Sequence, residues 1–518
     1  LLPRAERRSA PPNDAWLPLL AIEQGRTDLL AELRGHHAYA VIDRDTGALV
    51  HGRDRYGEKP LLAMFEADSE RLVAFGSTIG ALRALGMPPP AIGLLPEHLL
   101  RCGFASFLPR ELAGGLVLCE RPPGRGRPVR QPLPPVRERV VASVARCIDT
   151  TVPVGLFLSG GIDSGCIAAA LRALDRAVPA FQFRAVGTDG RERAIAAAIA
   201  DRCDLPFHAV DGGPEVLDAL PALTRDAGLP LGDPSVLAVH AVASAAAAAG
   251  VRVMLGGEGA DELFFGYRRY RALARLPRLP RLARMAPRWS MSAAARWWRA
   301  ATAADPIAEL LMVTPPAFVA TVLSRDAFVS LGRRPAPVTL RGLALADAAR
   351  ARDLREYLPL DLLPKVDVAT LAAGVEARCP FLEGDPDPDA SAAADLGKRR
   401  LRAAFASELP AAVFRQQKRG FALPLDAWFR GELDWLDLLR DERTLSRPHL
   451  RRTGVTQALD RHRRGRANLG HGLYALVAFE LFLRDQERNR PDGPPGRRLS
   501  APGGDAPQSA GGDTVPVG

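Results

Sequence analysis

Two glycine-rich stretches hold residues whose types and spacing suit chemistry better than packing. The first is Ser159-Gly160-Gly161-Ile162-Asp163-Ser164, which follows an apolar run, Val154 to Leu158, and precedes an Ala-rich segment from Ile167. The run reads as a buried parallel strand and the Ala-rich segment as a helix. A glycine-rich turn between strand and helix aims backbone N–H groups and the positive end of the helix dipole at one point, which suits a phosphate. Ser159 and Ser164 add hydroxyl donors. Asp163 would repel a bare phosphate, so its expected partner is a magnesium ion shared with the phosphates. No Gly-Lys-Ser/Thr follows at the Walker spacing. The second stretch, Gly256-Gly257-Glu258-Gly259-Ala260-Asp261-Glu262, directly follows the strand-like Val251 to Leu255. Glu258 and Asp261 are three apart and share one face of a first helical turn. The competing readings are a sterically convenient turn and a solvated acidic cap. Two such turns in one chain favour chemistry.

A third signal is compositional. The chain of 518 residues holds 69 Lys plus Arg, yet lysine occurs four times, as Lys59, Lys365, Lys398 and Lys418. Where a generic cation suffices, this sequence uses arginine. A retained lysine marks a place that needs a compact ammonium rather than a planar guanidinium. Net charge is +10, but the basic residues are spread along the chain. A solvated Arg-rich surface and attraction for a polyanion such as ATP explain this better than a nucleic-acid groove. Six scattered cysteines without CxxC spacing suggest reduced thiols and a cytoplasmic setting. No uninterrupted apolar run of membrane-spanning length occurs. Partners are therefore expected to be small molecules, with no nucleic acid and no membrane; homodimerisation is left open.

Length and patterning predict more than one domain. An amphipathic helix from Asp14 leads into alternating text at 37–44 and 48–55, joined by the hairpin turn Asp45-Thr46-Gly47, with another strand at 71–76. Residues 1–120 form this first domain, and the Pro/Gly/Arg-rich 121–137 reads as a linker. A helix over 137–149 opens a second domain, 138–486. There the strands at 154–158, 178–183, 207–210 and 251–255 alternate with helices, which predicts a doubly wound parallel sheet. Residues 268–350 read as helical without identifiable chemistry, and Trp289, Trp297 and Trp298 as core or interface residues. The Pro/Gly/Ser-rich tail, 487–518, reads as disordered.

These motifs carry a family resemblance. Ser159 to Ser164 resembles the pyrophosphate loop of ATP pyrophosphatases, and Gly256 to Tyr267 the acidic motif of asparagine synthetases, with Gly256 in place of Ser and Phe265 in place of Gly. Gly232-Asp233-Pro234-Ser235, the segment from Tyr357 to Glu383, Gly397 to Arg402 and Gln417 to Leu425 match further motifs of those synthetases; Val368, Cys379 and Glu383 depart from the pattern. All four lysines lie in matched segments. Arg53 to Leu61 resembles part of a class II glutamine amidotransferase domain. That domain's nucleophilic cysteine and Asn-Gly-Glu segment have no counterpart here; Asp14 stands where its ligand for the glutamine amino group would fall. The expectation is that the residues present do not hydrolyse glutamine, because part of the domain either lies outside this sequence or has eroded.

The resemblance implies an α/β protein: a partial Ntn-type antiparallel β-sandwich, then a pyrophosphate-loop domain with a helical C-terminal part. It implies ATP-dependent adenylation of a carboxylate, in the parent case the β-carboxylate of aspartate, followed by amination to the amide and AMP. The implied nucleotide set is Leu158, Ser159, Gly160, Gly161, Asp163, Ser164, Gly256, Gly257, Lys365 and Asp367, with Asp163 and Asp261 on Mg²⁺. Lys418 is expected to neutralise developing charge, and Glu258 to position or deprotonate the amine. Lys365 and Asp367 are expected either to orient substrate or to form a structural pair. Intramolecular amide-formers, such as lasso-peptide cyclases and β-lactam synthetases, are the alternative, as is amidation of another carboxylate. A regulatory scaffold with a dead site predicts decay of the phosphate-binding residues, which are intact.

Overall fold

The computed structural model describes residues 16–45, 49–66, 72–85, 87, 95–104, 110–112, 116–120, 132–276, 290–324, 343–384, 387, 389–415, 423–431 and 434–488. Asp14, Trp289, Lys418, most of the expected linker and nearly all of the expected tail fall outside them.

The second domain is built on five parallel strands, β7 (Val154–Phe157), β8 (Ala180–Ala185), β9 (Phe207–Gly212), β10 (Val253–Leu255) and β11 (Glu376–Arg378), in the order β11-β10-β7-β8-β9. From β7 the chain adds β8 and β9 on one side, then returns to add β10 and β11 on the other. The carboxyl ends of β7 and β10 thus flank the topological switch point, where open α/β sheets bind ligands. Side chains alternate across the sheet. Leu156, Leu158, Ala180 and Leu255 join the core beneath helices Val136–Cys147, Ile162–Ala173 and Arg191–Arg202. Phe157, Phe181, Phe183 and Met254 join the core under helices Leu220–Ala227, Ser235–Ala248, Leu363–Leu371 and Gly470–Arg488. Apolar burial on both faces fixes the strand register, since a one-residue slip would exchange the two cores.

The first four expected strands of this sheet are present within a few residues of their expected bounds. The fifth, β11, is three residues long and carries Glu376 and Arg378, so neither length nor hydrophobicity announces it. Two boundaries shift: a helix starts at Val136, inside the expected linker, and another runs on to Arg488, past the expected start of the tail.

Before residue 121 the strands are antiparallel. β1 (Ala38–Ile42) pairs with β2 (Leu49–Arg53), as the hairpin text predicts. β3 (Leu62–Glu66), β4 (Leu72–Gly76), β5 (Arg110–Leu112) and β6 (Leu116–Glu120) form a sheet of order β4-β3-β6-β5. β3, β5 and β6 are not among the expected strands. The β2–β3 connection, Asp54 to Leu61, lodges against the second domain. Buried Tyr56 packs with Leu358, Leu363, Cys379 and Leu382, the Cys379 N–H donates to Glu58 Oε2 at 2.8 Å, and Lys59 Nζ lies 2.8 Å from Asp367 Oδ1.

Candidate active site

The phosphate-type loop is shaped by local chemistry. Gly160 adopts φ +75°, a left-handed conformation where a side chain would also overlap the Glu192 carbonyl. The Ser159 N–H donates to Ser164 Oγ at 3.2 Å, and the Ser164 hydroxyl reaches the Gly161 carbonyl at 3.4 Å. These contacts wrap the turn onto the start of helix Ile162–Ala173, which has no side-chain cap and places Asp163 in its first turn. The uncapped amides and the helix dipole face the switch-point crevice.

The turn after β10 closes the other wall. The Gly256 N–H donates to the Arg378 carbonyl of β11 at 2.8 Å. Gly257 is pressed against Asp163 so closely that a Cβ would overlap the Asp163 side chain. Asp261 and Glu262 are buried in the short helix Ala260–Leu263. Burial raises the Glu262 carboxyl to about 7, opposed by the Tyr267 hydroxyl, which donates to it at 2.6 Å. Phe265 sits at φ +52°, a left-handed conformation that glycine adopts without this strain. Its ring is fully buried against Tyr270, and this burial offsets a backbone cost of about 1–2 kcal/mol.

Between the walls lies a cavity of about 710 Å³, lined among others by Ser159, Gly161, Asp163, Ser164, Gly257, Glu258, Asp261 and Lys365. Leu158, Gly160, Gly256 and Asp367 are not among the residues that line it. Asp163 and Asp261 converge as expected, with Lys398 between them: its ammonium lies 2.7 Å from Asp261 Oδ1 and also contacts Asp163 Oδ1. Two carboxylate oxygens converging on one cation form a donor set suited to magnesium, which takes one or two carboxylates and completes its shell with phosphates and water.

Lys365 and Asp367 do not pair with each other. Two residues apart on helix Leu363–Leu371, they point in different directions. Lys365 Nζ lies 2.5 Å from Asp233 Oδ2, while Asp367 is held by Lys59. Burial opposes ionisation of Asp233, but the Lys365 ammonium wins and holds its carboxyl below the usual range; nearby Asp361, buried without such a contact, is pushed well above it. Three of the four lysines thus each bind a carboxylate distant in sequence, and two of these pairs line the cavity. Asp233 and Lys398 appeared in the sequence only as motif members, without an assigned role. The scarcity of lysine was the signal that could have promoted Lys398. Tyr267, Tyr357, Arg268 and Arg271 also line the cavity; the two tyrosines stood at the ends of matched motifs without an assigned role, and nothing in the local sequence marked the two arginines.

Similarity to known proteins follows the same division. The asparagine synthase family model matches residues 135–484, and the glutamine amidotransferase domain model matches residues 6–84. A Mycobacterium bovis protein named as a glutamine-hydrolysing asparagine synthetase is 29% identical over 88% of this chain and 77% of its own length. Bacillus subtilis asparagine synthetase 1 is 24% identical over 91% of this chain and 80% of its own length. A Gibberella zeae protein named amidase chry2 is 28% identical, covering 47% of this chain and 41% of its own length.

Proposed function

Since the chain belongs to the asparagine synthase family of ATP-dependent amide-forming ligases, we propose that it adenylates an amino-acid carboxylate, the β-carboxylate of aspartate, and passes the acyl group to ammonia. The observation that carries this reading is the convergence of Asp163 and Asp261 beside an uncapped helix N-terminus at the switch point. In the first step a carboxylate oxygen attacks the α-phosphorus of ATP and pyrophosphate leaves. In the second, ammonia attacks the acyl carbon, the amide forms, AMP departs with the C–O electrons, and one proton is lost.

Both reactants of the first step are anions, so aimed donors and cations supply most of the rate. Ser159, Ser164 and the Gly161 amide would hold the pyrophosphate oxygens, and Gly160 lets the backbone approach them. Leu158 anchors the loop to β8 through its amide, which donates to the Phe181 carbonyl at 2.9 Å. Asp163 and Asp261 would hold magnesium, which when bound neutralises charge on the departing pyrophosphate. Lys418 is assigned to charge developing at the phosphates and the adenylate. Glu258, on the cavity wall in the turn after β10, would position or deprotonate ammonia. The Lys365–Asp233 pair presents an ammonium and a carboxylate side by side, which complements the α-carboxylate and α-ammonium of an amino acid.

That complementarity gives the test. With ATP, Mg²⁺ and ammonium, aspartate should give asparagine and AMP, while succinate, which lacks the α-ammonium, should give at least tenfold less AMP. Equal AMP from both, or none from aspartate in protein that binds ATP, would remove the aspartate assignment.

A further inference from the structure

Lys398 is a buried, charged residue in an unusual backbone state. It adopts φ +60°, directly after Gly397 at φ +78°, and its side chain is 5% exposed. Two backbone bonds hold this turn in place. The Gly397 N–H donates to the Phe265 carbonyl at 2.9 Å and the Lys398 N–H to the Phe264 carbonyl at 3.0 Å. Phe265 is itself left-handed, so the two strained turns are bonded to one another across the junction. The result carries the Lys398 ammonium between Asp163 and Asp261. Gly266 leaves the necessary room: a Cβ there would overlap both the Asp261 carboxylate and the Lys398 side chain. Strain of this kind persists where the surroundings impose it, and it clusters at functional positions.

The charges indicate what the arrangement does. Without Lys398, two carboxylates converging at a buried point repel one another and attract any divalent cation. With it they are held together, and a bare divalent cation meets a site of net charge −1 with an ammonium already at its centre. A cation arriving with nucleotide brings phosphates, which can take over the ammonium. We propose that Lys398 is a positioning residue that acts as a built-in counter-cation, holding Asp163 and Asp261 in register in the free protein and yielding that place to magnesium only when nucleotide arrives with it. The site would then reject magnesium alone and assemble on the metal–nucleotide complex. This rests on the nucleotide-site reading above.

Manganese serves as the probe, because free Mn²⁺ is counted directly by electron paramagnetic resonance. The full chain is titrated with Mn²⁺ alone and then with α,β-methylene-ATP, which cannot be cleaved at the reacting bond. Wild type should bind Mn²⁺ weakly alone and stoichiometrically with the analogue. Lys398→Met should bind Mn²⁺ alone roughly tenfold or more tightly than wild type. Lys398→Arg, which keeps the charge, should not gain, and adding Asp163→Asn to Lys398→Met should abolish the gain. General structural damage would weaken metal binding, so a gain is specific to the proposed role. Lys398→Gln, which retains a donor, replaces the methionine variant if that does not fold. Wild type that binds Mn²⁺ with the analogue, together with a Lys398→Met protein that binds Mn²⁺ alone no more tightly, overturns the proposal and leaves the nucleotide site standing. Wild type that binds no Mn²⁺ with the analogue overturns both.

Discussion

Gly256 stands where asparagine synthetases carry serine, and its surroundings give the substitution a consequence. A Cβ at this position would overlap Glu258 Oε2, so the carboxylate here occupies space that a serine would claim. Gly256→Ser should therefore shift Glu258. We expect the amination step to change more than adenylation, seen as an altered ratio of amide to AMP in single-turnover product analysis; an unchanged ratio removes Glu258 from the amine's path. Asp261→Asn keeps the shape but not the charge, and should cost about 10²-fold or more in AMP formation with the fold intact by circular dichroism. Glu262 gives a pH signature. Burial raises its folded pKa from 4.5 to about 7, so the native state holds a proton that the unfolded state has lost. Its contribution to stability is full below 4.5 and disappears as pH rises through 7. Glu262→Gln should flatten the fall in melting temperature across that window, and an unchanged profile would contradict the assignment. At this scale the sequence was informative where chemistry is local. Asp163 follows its glycines by two residues, and Asp261 lies five from Gly256. It was silent on the Lys398–Asp163 contact, which spans 235 positions.

Elements matter here through their ends. β7 and β10 were legible because they are apolar runs closely followed by glycine-rich turns, whereas their adjacency depends on the strand order, which alternation of strands and helices does not specify. β11 was not legible, since a three-residue edge strand with two half-buried charged residues and one buried alanine shows no apolar run. It still anchors one wall of the cavity, because the Arg378 carbonyl accepts from the Gly256 amide. The helix Leu363–Leu371 illustrates the same limit. Its lysine and aspartate were noticed, but helical geometry sends them to different partners, one of them before residue 121. The Lys59–Asp367 pair has one nearly buried member, with side chains 20% and 5% exposed. Removing the ammonium leaves the aspartate uncompensated. We expect Lys59→Met to cost about 1–3 kcal/mol of stability, discounted because the lysine is partly solvated. A double-mutant cycle with Asp367→Leu should return a coupling energy of about 1 kcal/mol. Additive effects in urea melts would show that the pair contributes nothing.

Across the whole molecule, the antiparallel strands before residue 121 do more than sit beside the second domain. Glu58 accepts from the Cys379 amide, just past β11, and burial raises its carboxyl to about 7. His36 Nε2 lies 2.6 Å from Glu376 Oε1 of β11. The sheet that carries the candidate site is thus braced by the segment matching the amidotransferase model. The sequence disclosed the segment's kinship, because Arg53 to Leu61 is a continuous string. It did not disclose this bracing, which depends on contacts such as His36–Glu376 across 340 residues. Among the described residues no helix is long and apolar enough to cross a membrane, and the features described converge on the switch-point cavity. The decisive measurement is therefore the phosphorus product balance of the purified chain incubated with ATP, Mg²⁺, aspartate and ammonium, followed by ³¹P NMR. Cleavage at the α–β bond predicts AMP and pyrophosphate in equal amounts, dependent on the carboxylate and lost in Asp163→Asn. ADP with orthophosphate, or nucleotide cleavage indifferent to any carboxylate supplied, would contradict the adenylating mechanism.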